Sequence, residues 1–304
     1  MEAVAAQRGF FRTLLGHPKP ESRGGRAGVE INGARIYHEI FGDHGPWLAL
    51  NAGGRHRGQE MAPLARAIAE RGFRTLVHDR RNTGASDIII AGDDSEEDIW
   101  ADDLVALLGH YGATRAFFGG SSAGARLSMT VLRRHHEFVQ GLLLMRVTGG
   151  VFAAGRLPNS YYGQFIKAAH AGGMQAVCDT APYRERLALN PASRERLMAM
   201  DPRDYMATMG RWLANFTSGP VAPVMGVSND ELRGFDVPTL VVPGNDRTHS
   251  SVSGLQAAQL IPNAELFELP VQDQDLDLIP FPDWKEHYPA LVERFVAFME
   301  KHRA

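Results

Sequence analysis

From residue 29 onward the chain alternates short apolar runs with stretches in which apolar residues recur every three or four positions. The first pattern predicts strands and the second predicts helices. Residues 29–31 and 36–41 predict two strands joined by Asn32-Gly33, a dipeptide suited to the positive-φ turn of a tight hairpin. Residues 47–50 form a third apolar run that ends in Asn51-Ala52-Gly53-Gly54. A helix is predicted next, with Met61, Leu64, Ala65, Ile68 and Ala69 at helical spacing and Arg71-Gly72 as its stop. Residues 73–77 predict a strand, 99–108 an amphipathic helix, 116–118 a strand and 141–145 another. The rhythm breaks after Thr148-Gly149-Gly150, and residues 160–218 carry only helical patterning, punctuated by Asn190-Pro191 and Asp201-Pro202. Strand patterning resumes at 237–242, then a helix at 251–260, a strand at 265–269 and a last helix at 284–301.

Most of these strands are apolar runs rather than strict apolar–polar alternations, as expected of a mostly parallel sheet covered by helices on both faces. The fold class is therefore α/β: an eight-stranded sheet over 29–148 and 235–304, interrupted by a helical cap over 149–234. Residues 1–28, rich in Arg, Gly and Pro, are expected to be a loosely ordered extension.

A chain of 304 residues is long enough for one large domain with an insertion. Its net charge of -3 gives no reason to expect nucleic acid or an anionic membrane as partner. No apolar run approaches the roughly 20 residues of a membrane span, and the first residues lack the apolar stretch of a secretory signal. Cys178 is the single cysteine, so no internal disulfide can form and a cytoplasmic location is expected. Histidine and cysteine are too scattered to predict a metal site. The expected partner is a small-molecule substrate, and a homo-oligomer is compatible with the sequence.

The densest chemistry lies at Gly120-Ser121-Ser122-Ala123-Gly124, between the apolar strand at 116–118 and an apolar helix. It reads as strand, sharp turn and helix with Ser122 at the apex, and so tight a turn needs small residues on both sides of the serine. The helix start also places N–H groups where an oxyanion can develop. A plain helix cap is the competing role for Ser122.

With that motif in place the chain resembles the α/β-hydrolases, over about residues 29–145 and 235–302. Asn51-Ala52-Gly53-Gly54 stands at the family's oxyanion loop, Asp79-Arg80-Arg81-Asn82-Thr83-Gly84-Ala85-Ser86 resembles its D-x-R-G-x-G-x-S loop, and Pro243-Gly244-Asn245-Asp246 resembles the loop that carries the catalytic acid. The resemblance implies a cofactor-independent serine hydrolase. Ser122 is then the nucleophile, Ala123 with Gly53 or Gly54 supplies the oxyanion hole, and Asp246 is the acid.

The base departs from the family pattern. The loop after the last strand, where the family places its histidine, here reads Pro270-Val271-Gln272-Asp273-Gln274-Asp275-Leu276. His249, three residues after Asp246, is the first substitute, paired with Asp246 or with Asp273 or Asp275; His287 in the last helix is the other. An elbow with no working base is a further alternative. Arg55 and Arg126 either brace loops or bind an acidic substrate group, and Tyr161 and Trp212 either line an apolar pocket or fill the core. Hydrolysis of a carboxylic ester or lactone of a small to medium apolar acid is the activity the resemblance implies. A carbon–carbon bond hydrolase, a cofactor-free lyase, oxygenase or perhydrolase, and a non-catalytic binding protein are the alternatives.

Overall fold

A computed structural model describes residues 27–303. The expected extension over 1–28 therefore lies almost wholly outside the described residues, and its last two, Ala27 and Gly28, belong to the first strand. β1 (Ala27–Ile31) and β2 (Ala34–Phe41) form the antiparallel hairpin. Asn32 and Gly33 both take positive φ, 48° and 73°, the turn whose twist matches that of paired strands. There follow β3 (Trp47–Asn51), α1 (Ala62–Ala69), β4 (Arg74–His78), α2 (Glu96–His110), β5 (Ala116–Ser121), α3 (Ala123–Arg134) and β6 (Val139–Met145). The strand order is β1-β2-β4-β3-β5-β6, completed by β7 (Thr239–Val242) and β8 (Glu265–Leu266). β2 is antiparallel to both neighbours, and every pairing from β4 to β8 is parallel. The expected eight-stranded, mostly parallel α/β sheet is thus present.

Alternation along each strand assigns neighbouring residues to opposite faces. Trp47, Ala49, Phe118, Leu142, Leu144 and Val241 pack with Trp100 of α2, Leu127 of α3 and Ala257 on one face. Leu48, Leu50, Phe117, Leu143, Met145, Leu240 and Val242 pack on the other with Leu64 and Ile68 of α1 and Phe295 and Phe298 of the last helix. The central strands β3 to β7 are buried on both faces, as apolar runs imply, whereas β2 alternates buried with exposed or half-buried positions and the edge strand β8 is partly exposed.

Between β6 and β7 the chain is helical: α4 (Val151–Pro158), a π-helical turn (Asn159–Gly163), α5 (Gln164–Cys178), α6 (Ala181–Leu189), α7 (Ala192–Met198), α8 (Pro202–Thr217) and α9 (Asn229–Arg233). These helices share a third apolar cluster that includes Tyr161, Phe165, Tyr183, Tyr205 and Trp212 and reaches down to Ile88 and Ile90. α10 (Ser251–Leu260) and α11 (Tyr288–Lys301) complete the chain. No helix among the described residues is long and apolar enough to cross a membrane.

Several boundaries differ from the sequence expectation, each for a local reason. Helicity after β6 begins at Val151 rather than at residue 160. α2 begins at Glu96, three residues early, because Ser95 caps it by accepting a hydrogen bond from the Asp98 N–H. β8 pairs over two residues instead of five, since its neighbour β7 has only four and the next strand position is an edge. The last helix starts at Tyr288, behind a 3₁₀ turn over Phe281–His287.

Candidate functional site

β5 ends where α3 begins, and Ser122 sits between them at φ 58°, ψ −116°, a conformation L-residues rarely adopt. The surroundings force it. The Ser122 N–H donates to the Met145 carbonyl of β6 at 3.1 Å, and its own carbonyl accepts from Arg126 N–H at 3.1 Å. On either side the backbone lies against β3. A Cβ on Gly120 would fall 2.5 Å from the Asn51 carbonyl oxygen, and one on Gly124 would fall 2.2 Å from it. Backbone oxygen cannot move aside as a side chain can, so Gly124→Ala is expected to destabilise by at least about 1–3 kcal/mol, read as a fall in the denaturant midpoint.

Gly53 and Gly54 come up beside the serine from the end of β3. A Cβ on Gly53 would lie 3.3 Å from the Ser121 carbonyl oxygen, a tight contact, and 3.5 Å from Ser122 Cβ, an ordinary one. The buried guanidinium of Arg80 donates to the Gly53 carbonyl at 3.3 Å and to that of Gly54. Because a trans peptide points its C=O and N–H to opposite sides, occupation of the Gly53 carbonyl turns the Gly54 N–H the other way. Arg80 itself stacks on Trp100, with 4.7 Å from Cζ to the ring centre. Asp79 secures the neighbouring loop by accepting from the N–H groups of Gly58 at 2.8 Å and Ala85 at 2.9 Å.

The loop after β7 carries Asp246 and His249, both buried. The Asp246 carboxylate accepts the backbone N–H groups of Thr248 at 3.0 Å, His249 at 2.8 Å and Ile279 at 3.0 Å. His249 Nδ1 lies 2.9 and 3.0 Å from the two carboxylate oxygens. Its Nε2 is enclosed and has no hydrogen-bond partner. Arg146, at the end of β6 with φ 50°, donates to Asp246 Oδ2 at 2.7 Å and to the Ile279 carbonyl. Its Nη2 also approaches His249 Nδ1 to 3.2 Å. That nitrogen cannot donate to Asp246 and accept from Arg146 at once; the nearer, anionic carboxylate holds the proton on Nδ1 and leaves Nε2 with a free lone pair.

The electrostatics follow. Burial works to raise the Asp246 carboxyl, but the His249 hydrogen bond and charge, the Ile279 N–H and the Arg146 charge outweigh it and hold the group well below the usual carboxylate range. Burial is the largest influence on His249 and lowers its pKa from 6.5, with Arg146 acting in the same direction and Asp246 opposing. The imidazole is therefore neutral at neutral pH, the state that can take a proton.

Ser122, His249, Gly53, Gly54, Arg55, Arg146 and Tyr161 all line one cavity of about 720 Å³, within the usual range for small-molecule sites. In the present arrangement the Ser122 hydroxyl bonds to Thr148 Oγ1 at 3.1 Å. A rotation about χ1 is the motion that would exchange Thr148 for another acceptor.

The other sequence candidates are placed elsewhere. Asp273 accepts from Ser251 Oγ at 2.6 Å, and Asp275 lies exposed, 3.6 Å from Arg247; neither contacts His249. His287 packs edge-on to Trp284 beside Glu286 and is not part of the cavity wall. Arg126 donates to Glu97 at 2.9 Å and stacks on Phe216, and Trp212 is buried with its N–H on the Asp94 carbonyl at 3.0 Å; neither lines the cavity. Arg55 does, but its guanidinium is taken by Glu96, which also accepts from Tyr162 at 3.0 Å and Asn82 at 2.9 Å. Thr148, Glu96 and Arg186 escaped sequence reasoning because none stands in a motif. Arg146, at the junction with the cap, offered in sequence the same choice as Arg126 between bracing a loop and binding an acidic group.

A model of the alpha/beta hydrolase family matches residues 41–286. The chain belongs to this family. Among curated proteins, a non-heme chloroperoxidase from Kitasatospora aureofaciens is 27% identical over 247 residues, covering 77% of this chain and 86% of that protein. Among solved structures, the enol-lactonase from Burkholderia xenovorans superposes with a TM-score of 0.60 at 21% identity, covering 90% of this chain and all of that one. A bromoperoxidase from Bacillus anthracis gives the same score at 18% identity over 91% of this chain and all of its own. At these identities the structural matches speak for the fold.

Proposed function

We propose that the protein is a serine hydrolase acting on a carboxylic ester or lactone, with residues 149–234 as a cap over the site. Ser122 attacks the carbonyl, His249 takes its proton through Nε2, and Asp246 orients and stabilises the imidazolium that forms. The N–H groups of Ala123 and of Gly53 or Gly54 receive the tetrahedral oxyanion. His249 then returns the proton to the leaving alkoxide, and water opens the acyl-enzyme by the same steps in reverse. The observation that carries this reading is the buried, neutral His249, tied to Asp246 through one nitrogen and unpartnered at the other, in the wall that also holds Ser122.

A fluorophosphonate probe tests it. The probe is expected to attach to the peptide containing Ser122, at a rate that falls on acidification only below pH 6.5, because the base is lost when His249 protonates and its pKa is depressed. Absence of labelling in the folded protein would overturn the hydrolase reading. A midpoint above pH 6.5 would remove His249 from the base's role.

A second reading draws on the chloroperoxidase relative. The same acyl-enzyme opened by hydrogen peroxide in place of water gives a peracid, which oxidises halide. Halide oxidation that requires both a carboxylic acid and peroxide, and is lost in Ser122→Ala, would support it.

A further inference from the structure

Five arginines line the cavity: Arg55, Arg57, Arg146, Arg156 and Arg186. Two of them are committed to buried carboxylates, Arg55 to Glu96 and Arg146 to Asp246. Arg156 donates to Thr248 Oγ1 and to the Asp277 carbonyl at 3.3 and 3.4 Å. The side chains of Arg57 and Arg186 have no hydrogen bond and no ion pair among the described residues, and Arg186, on α6, is the more deeply buried of the two, at only 7% exposed. It is held instead by rings: its Cζ lies 5.0 Å from the centre of Tyr183 and 5.7 Å from that of Phe165. Phe165 is buried, and the Tyr183 hydroxyl is tied to that of Tyr205 at 2.9 Å, so the aromatic seat is fixed. None of the guanidinium nitrogens is sealed from open space, and Arg186 is among the residues that line the cavity with Ser122 and His249.

Burial of an unpaired cation is costly, and a fold that needed only packing here would be better served by an apolar side chain. Ring faces support the flat of a guanidinium and leave its N–H edges free. That is the geometry in which arginine receives a carboxylate through two parallel hydrogen bonds. The carboxylates near by do not fill the role. Glu96, whose charge acts on Arg186, is bonded to Arg55, Tyr162 and Asn82. Glu60 and Glu185 share the cavity wall, but Glu60 accepts from His56 at 2.7 Å and Glu185 is exposed and makes no ion pair with Arg186 among the described residues.

We propose that Arg186 binds a carboxylate on the substrate, so that the ester or lactone cleaved at Ser122 belongs to an acid bearing a second, free carboxylate. This rests on the hydrolase reading for the reaction, while the anion site itself can be tested without it. Arg186 is a specificity determinant in this scheme and touches no reacting atom.

The experiment compares a mono-aryl ester of glutaric acid with the aryl butyrate of similar length, in wild type, Arg186→Met and Arg186→Lys, alongside calorimetric binding of glutarate. Wild type is expected to favour the charged ester through KM by at least roughly tenfold, the worth of about one charge-assisted hydrogen bond. Arg186→Met is expected to lose that preference and glutarate binding while keeping butyrate turnover within roughly threefold and fluorophosphonate labelling intact. Arg186→Lys, which keeps the charge without the fork, is expected to fall between them, and it carries the test if Arg186→Met does not fold. Equal losses on both esters in a folded variant, or no preference for the charged ester in wild type together with no glutarate binding, would overturn the proposal. Failure of Ser122 to label, with glutarate binding that depends on Arg186, would sink the hydrolase reading and leave the anion site standing.

Discussion

Ser122→Ala is expected to lower ester turnover by at least roughly 10³-fold, about 4 kcal/mol of transition-state stabilisation, and to abolish fluorophosphonate labelling. The loss is chemical rather than structural. The serine is buried, but its hydroxyl makes a single hydrogen bond, to Thr148, and removal of an oxygen there opens no large void. What the site demands of residue 122 is conformation. Ser122 holds φ 58° because β6 and β3 grip the backbone on both sides, and such positions store about 1–3 kcal/mol of strain. Ser122→Gly is therefore expected to be at least as stable as the wild type while equally inactive, a combination that a plain helix cap would not give. Turnover and the thermal midpoint, measured on the same preparations, decide the matter. Undiminished turnover in either variant would show that Ser122 is not the nucleophile.

The second large effect concerns the base. His249→Ala is expected to reduce both turnover and probe labelling by roughly 10³-fold or more, whereas His287→Ala should leave them within about twofold. His249 sits buried against Asp246, while His287 lies in the 3₁₀ turn ahead of α11, beside Trp284. His56 is the proper control, because it too lines the cavity. Its hydrogen bond from Nδ1 to Glu60 raises its pKa, and its side chain is 57% exposed, so it is the more protonated and the poorer acceptor at neutral pH. His56→Ala is expected to alter KM more than kcat. A collapse of labelling in His56→Ala with His249→Ala intact would move the base to the mouth of the cavity.

The position of His249 has a structural rationale. His249 lies three positions after Asp246, a spacing that makes an ordinary paired arrangement hard to foresee. The loop solves this by folding the carboxylate back on itself: Asp246 accepts the backbone N–H groups of Thr248 and His249 as well as the ring nitrogen of His249. Ile279 and Arg146 then close the carboxylate from the far side. The aspartate is over-coordinated, hence fixed, and its hold on Nδ1 leaves Nε2 as the nitrogen with a free lone pair.

How much of this was legible in the chain itself depends on the range of the interactions involved. The apolar runs, the Asn32-Gly33 hairpin and the Gly120 to Gly124 turn were readable because each is decided within a few residues, by side-chain periodicity or by the need for small residues at a tight bend. They were sufficient to identify the sheet and the place of Ser122. The partners were not readable, because they meet only when distant segments fold together. Arg146 and Asp246 are 100 residues apart, Arg55 and Glu96 are 41 apart, and Ser122 and Thr148 are 26 apart. Whether an arginine braces a loop or stands free to take a ligand depends on which carboxylate the fold brings to it. The sequence presented Arg55 and Arg126 with the same two roles and gave Arg186 no mark of its own. Packing gave the first two a glutamate each, gave Arg186 two aromatic rings and an open cavity, and so decided which of them was left with chemistry to do.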